Sequence, residues 1–182
     1  MNKTVCVFLG ASTPRLAWPT ELVTDAARAL GVQGWGVVYG GASVGLMGTL
    51  ADAALSAGSR VVGVIPRALQ EKEIAHRGLS ELLLVDDMNQ RKNEMFRRAN
   101  AFLVLPGGFG TLDELFEVAT AAQLGQHKKP IVLWNARGFF DGLVAFLEGA
   151  VTLGLLRPEH YAHLTVVQTL PEALSALSAD DV

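Results

Sequence analysis

The chain has 182 residues, half of them hydrophobic, with a net charge of −3 and a single cysteine. That length suits one domain with a sizeable core, and the mildly acidic balance, without any basic stripe, excludes nucleic acid as an expected partner. No run approaches a membrane span, Cys6 has no internal disulfide partner, and a mean hydropathy of +0.31 leads us to expect a homo-oligomer that buries apolar surface.

Lys3 and the apolar run 5–9 are too short for a signal peptide, and Gly10-Ala11-Ser12-Thr13-Pro14 reads as a strand-ending turn. A cytoplasmic protein is expected, since a lone cysteine fits a reducing compartment. The first turn lacks the G-x-G-x-x-G dinucleotide fingerprint, and no G-x-x-x-x-G-K-[ST] loop occurs, so nicotinamide and ATP chemistry are unsupported. Ser12 fits the cap of the following helix better than a ligand contact.

Continuously apolar runs at 5–9, 36–39, 60–65, 82–85, 101–105, 131–134 and 164–167 read as buried parallel strands. Helical periodicity fills 21–30, 46–57, 88–99, 111–124, 139–153 and 171–177. The alternation predicts a single-domain α/β fold over 1–177, a doubly wound, mostly parallel, Rossmann-like sheet. A polar tail, 178–182, follows it. Ligands of such sheets bind at the carboxyl ends of the strands.

Two strand-to-helix turns are glycine-rich. The first, 39–48, contains Gly40, Gly41 and Gly45. Glycine there means close backbone approach or unusual dihedrals, and ligand contact by Gly41 and Gly45 is weighed slightly ahead of tight strand–helix packing. The second reads Pro106-Gly-Gly-Phe-Gly-Thr-Leu-Asp-Glu114. Its amides and the helix N-terminus suit a phosphate, and Glu114 places a carboxylate on the first turn beside them. Thr111-x-x-Glu114 is equally a capping box, which would make the pair structural.

On the helix 88–99, Asp86 or Asp87 can cap, and Met88, Met95 and Ala99 share one face. Arg91 and Lys92 point along that apolar stripe, where a cation needs an anionic partner. An internal ion pair or snorkelling would serve; phosphate-suited turns in the same sheet favour a ligand. Arg97 and Arg98 read as surface charges. His76, His127, His160 and His163 lack metal-ligand spacing, so no metal site is expected. Lys128-Lys129-Pro130 reads as an exposed loop.

Met88-x-x-Arg91-Lys92-x-x-Met95 together with Pro106-Gly-Gly-x-Gly-Thr-x-x-Glu114 resembles the "Lonely guy" (LOG) family, cytokinin-activating phosphoribohydrolases once widely mislabelled lysine decarboxylases. The resemblance extends over nearly the whole chain, including the 40–48 turn, 63–66, 129–133 and 139–141. It implies hydrolysis of the N-glycosidic bond of N6-modified adenosine 5′-monophosphates, without metal or organic cofactor, in a homodimer with sites near the interface. It implies Arg91 and Glu114 as the catalytic pair. Glu73, Lys92, Gly107, Gly108, Phe109, Gly110, Thr111, Leu112, Asp113 and Thr120 would line the substrate site. Phe109 stands where the family often has tyrosine, Asp113 where it often has glutamate, and Ala42 where a third glycine is common. The alternatives are a broader AMP hydrolase and a non-catalytic nucleotide or cofactor carrier.

Overall fold

A computed structural model describes residues 3–70 and 75–179. Seven strands form one sheet in the order β4-β3-β2-β1-β5-β6-β7. They are β1 (Thr4–Phe8), β2 (Gly36–Tyr39), β3 (Val61–Pro66), β4 (Glu81–Val85), β5 (Ala101–Val104), β6 (Ile131–Trp134) and β7 (Leu164–Val167). Every ladder is parallel. The apolar runs form strands because both faces are covered, so neither set of alternating side chains needs to be polar. From β1 the chain steps outward to β4 on one side, then returns to β5 on the other side of β1. The switch point therefore lies between the carboxyl ends of β1 and β5.

Helices cover both faces. On one, α1 (Trp18–Val32), α2 (Gly45–Ser56) and α8 (Leu170–Leu177) pack on Val5, Val37, Leu103 and Val132. On the other, α4 (Met88–Arg98), α5 (Phe109–Gln123) and α6 (Asp141–Thr152) pack on Cys6, Val38, Phe102 and Leu133. Two single-turn helices, α3 (Arg67–Gln70) and α7 (Pro158–Tyr161), carry too little periodicity to be read from sequence.

Element ends moved for local reasons. The first helix starts at Trp18, with Pro19 in its first turn, instead of at 21. Ser12 therefore lies well before it and caps nothing there. The helix expected from 139 starts at Asp141, because the chain after β6 turns tightly through Arg137 at φ 55°. The Asn135 side chain holds that turn, accepting from the Phe140 amide and donating to Asp141, both at 2.7 Å. Of the tail, residues 180–182 lie outside the described residues.

The glycines of the 39–48 turn are mostly explained by this packing. Gly41 has φ +80° and gives its carbonyl to the His76 amide at 3.0 Å. Gly45 has φ +56°, and a Cβ there would stand 2.1 Å from the Ala11 carbonyl oxygen. Gly45→Ala is expected to lose about 2 kcal/mol or more of stability, from left-handed strain and a backbone clash together. Chemical denaturation measures this; an unchanged midpoint would reject the packing account.

Candidate active site

The loops that leave β1 and β5 are joined where they part, the Gly10 amide donating to the Pro106 carbonyl at 3.1 Å. A Cβ on Gly107 would lie 2.0 Å from Thr111 Oγ1 and 2.8 Å from the Gly10 amide nitrogen, so only glycine lets the two loops and the helix meet. Above this junction opens a cavity of about 340 Å³, lined by Ser12, Met88, Arg91, Gly108, Phe109, Gly110, Thr111, Asp113 and Glu114. That is the size of a small-ligand site.

Gly108 is the N-cap of α5 and makes no side-chain cap, so the helix begins at Phe109 and leaves its first amides without intrahelical acceptors. Thr111 consequently lies inside the first turn, and Glu114 sits in the second turn, one further than expected from the sequence. The Thr111–Glu114 capping box does not form. Thr111 Oγ1 is buried without a hydrogen-bond partner among the described residues. The same T-x-x-E pattern does form a capping box at Thr169 and Glu172, where Thr169 itself is the N-cap.

Glu114 is 7% exposed. Its carboxyl is pushed up to about 7, chiefly by burial, with Asp113 and Glu117 adding to the rise and Arg91 and Lys92 opposing it. Arg91, only 4% exposed, lies on the buried face of α4 with Met95, with Asp87 as cap accepting from the Gln90 amide at 2.8 Å. The guanidinium lies against Gly40, where a Cβ would stand 1.9 Å from Nη2. Its Nη1 faces Met88 Sδ at 3.6 Å, and Nε is buried without a partner among the described residues. A guanidinium thus lines the same cavity as a carboxyl that can exchange a proton near neutrality. That arrangement can hold an anion and handle a proton.

Lys92 does not join Arg91. It lies in the groove between α4 and α5, paired with Glu117 at 2.7 Å and Asp113 at 3.1 Å. This groove holds a second cavity, of about 500 Å³, lined by Lys92, Phe96, Asp113, Glu114, Phe116, Glu117 and Thr120. Asp113 and Glu114 line both cavities, whereas Thr120 belongs to the groove alone. Gly41, Gly45, Gly107 and Leu112 line neither; Leu112 packs on the core beneath α4 and α5. Glu73 lies outside the described residues. Lys129, expected in an exposed loop, turns inward to donate to the Phe96 carbonyl at 2.8 Å and sits over the Phe96 ring, and burial lowers its pKa. Sequence reading noted Gly40 as a point of close approach without its partner Arg91, and missed Glu117. Only the spacing of Glu117, four residues after Asp113, could have placed it on that face.

A doubly wound sheet with a buried cation and a near-neutral carboxyl at its switch point defines a Rossmann-like enzyme. Residues 47–177 match the family described as possible lysine decarboxylase. Over 156 residues the chain is 44% identical to cytokinin riboside 5′-monophosphate phosphoribohydrolase LOG5 of Arabidopsis thaliana, covering 86% of this chain and 68% of that one. Over 173 residues it is 44% identical to the cytokinin riboside 5′-monophosphate phosphoribohydrolase of Mycobacterium tuberculosis, with coverage of 95% and 92%. The chain belongs to this family, the LOG phosphoribohydrolases. The solved molybdenum cofactor binding protein of the phototrophic bacterium Rippkaea orientalis shares the fold, with a TM-score of 0.71 at 15% identity, covering 96% of this chain and 94% of that one.

Proposed function

We propose that the protein hydrolyses N6-modified adenosine 5′-monophosphates, cytokinin riboside 5′-monophosphates, to the free base and ribose 5-phosphate. The observation that carries this reading is the meeting of Arg91, Thr111 and Glu114 in one cavity, with two buried polar atoms, Arg91 Nε and Thr111 Oγ1, left for a ligand to satisfy.

The free amides at the start of α5 suit the 5′-phosphate, and that remote contact orients the sugar. Breaking the bond between ribose C1′ and the purine nitrogen develops positive charge on the sugar, as in other glycoside cleavages. The Glu114 carboxylate stabilises that charge and takes a proton from the attacking water, whose oxygen bonds to C1′. The bonding electrons leave with the purine, whose ring nitrogen takes up the proton that Glu114 drew from the water, restoring the carboxylate. Arg91 keeps its own proton near neutral pH and acts by charge.

The decarboxylase description fits the described lysines poorly. A pyridoxal enzyme needs a lysine amine free to form a Schiff base. Lys92, the described lysine that lines these cavities, is held charged by its hydrogen bonds to Glu117 and Asp113 against a smaller opposing effect of burial. We further propose a homodimer with sites near its interface. The apolar groove beside Glu114 is flanked by Phe116 and Leu124, which are 39% and 65% exposed, so a second copy covering it would reach the site. A cytoplasmic enzyme without metal or organic cofactor completes the reading; no helix of the described residues is long and apolar enough to cross a membrane.

Ribose 5-phosphate release tests the proposal, comparing isopentenyladenosine 5′-monophosphate, AMP and the dephosphorylated riboside. The expected result is release from the modified nucleotide well above AMP and none from the riboside. Equal release from AMP would replace it with a broader nucleotide hydrolase. Binding without release from any would point to a carrier, a role that the shared fold accommodates.

A further inference from the structure

Lys92 was expected beside the substrate, yet it is clamped between two carboxylates of the neighbouring helix. Asp113 and Glu117 are four residues apart on α5, so both face α4, and Lys92 reaches both. Glu114 lies between them in sequence but turns inward and is buried. In the single chain Lys92 is 17% exposed and its two partners 59% and 44%. Two anions therefore flank the buried carboxyl, and one cation is placed where it offsets them.

The geometry points to Lys92 and Glu117 as positioning residues for Glu114: the Lys92–Asp113–Glu117 clamp, in the same groove as the buried carboxyl, sets the charge around it. This rests on Glu114 carrying the chemistry. Among the described residues, the charged and titratable groups that face Glu114 are Arg91 and Lys92 on α4, Asp113 and Glu117 on α5, and Cys6 on β1. The two cations lower its proton affinity and the neighbouring carboxylates raise it. Cys6 is buried and its thiol is pushed well up, chiefly by desolvation, so it stays neutral and adds no charge. Arg91 makes the direct approach from the cavity side. Lys92 works from the groove, by its own charge and by offsetting the anions it holds.

The consequence is a pair of shifts with opposite signs. Lys92→Met leaves Asp113 and Glu117 unopposed, so Glu114 holds its proton to higher pH. Glu117→Gln removes one of the anions, so Glu114 loses its proton at lower pH. A role in helix packing alone would not give opposite signs.

The experiment is a pH titration of the Glu114 carboxyl by carbon NMR on protein labelled at the glutamate side chains, with the resonance assigned from its loss in Glu114→Gln. Parent, Lys92→Met and Glu117→Gln are titrated alongside the pH profiles of kcat and of KM. The expected result is an upward shift in Lys92→Met and a downward shift in Glu117→Gln, with the acid limb of kcat following each. Superimposable titrations, or shifts of one sign, would overturn the inference. So would a large rise in KM for Lys92→Met with its titration unmoved, which would make Lys92 a phosphate ligand after all. Opposite shifts that the kcat profiles ignore would uphold the clamp and remove Glu114 from the chemistry instead.

Discussion

Glu114→Gln is expected to lose almost all turnover and, above pH 7, to melt at a higher temperature than the parent. The two effects have one cause. The folded protein holds the Glu114 carboxyl at about 7 because burial disfavours its charge, against 4.5 for the ordinary side chain. The unfolded chain therefore releases this proton at lower pH than the folded one. Stability is full below pH 4.5, falls as pH rises to about 7, and stays lower beyond. At 1.36 kcal/mol per unit, the cost of keeping a charged carboxylate in the site at high pH is on the order of 3 kcal/mol. Glutamine fills the same space without that charge. For a chain of this size the gain corresponds to roughly 5–10 °C in Tm at pH 8 and almost none at pH 4. Turnover should fall by about 10²–10⁴, because an amide cannot take a proton from water. Calorimetry at the two pH values, with ribose 5-phosphate release at each, measures both. A variant that melts lower at pH 8 would contradict the burial argument, and one that keeps turnover would remove Glu114 from the mechanism.

Gly40→Ala is expected to fold normally and lose activity. A Cβ at this position would stand 1.9 Å from Nη2 and 3.0 Å from Cζ of Arg91, and 3.0 Å from Met47 Cε. The backbone tolerates alanine, since Gly40 is not among the glycines with positive φ. The obstructed atoms are ends of flexible side chains, which can move aside. Arg91 then leaves the position it needs, and a displacement of an ångström or more costs about 10² in kcat. Withdrawing the guanidinium also removes the main cation opposing burial at Glu114, so the acid limb of the pH profile should move to higher pH. The contrast with Gly45→Ala is the control: there the obstructing atoms are backbone, and stability is lost instead. A fully active Gly40→Ala protein with an unshifted profile would show that Arg91 acts from elsewhere.

The residues between 39 and 48 show how far sequence carries. Their glycines were legible as unusual, and a ligand was the natural guess. Gly41 and Gly45 turn out to answer to neighbouring backbone, and Gly40 to the side chain of Arg91, 51 positions away in a different helix. Nothing local distinguishes these purposes. Likewise, two T-x-x-E patterns look alike on paper. Only the one at Thr169 caps a helix, because Gly108 starts α5 early and carries Thr111 and Glu114 inward.

The sequence by itself determined the seven parallel strands, the main covering helices, the inward aim of Arg91 and the glycine-walled helix start after β5. These are local or periodic properties: runs of apolar residues, helical spacing, and backbone freedom at glycine. Tertiary structure alone decided that Gly40 makes room for Arg91, that Lys92 is clamped by Asp113 and Glu117, that Lys129 turns inward, and that Glu114 becomes a near-neutral acid. Each of those depends on groups far apart in sequence meeting in a medium drier than water, where burial and neighbouring charge, which leave no period in the chain, set what a side chain can do.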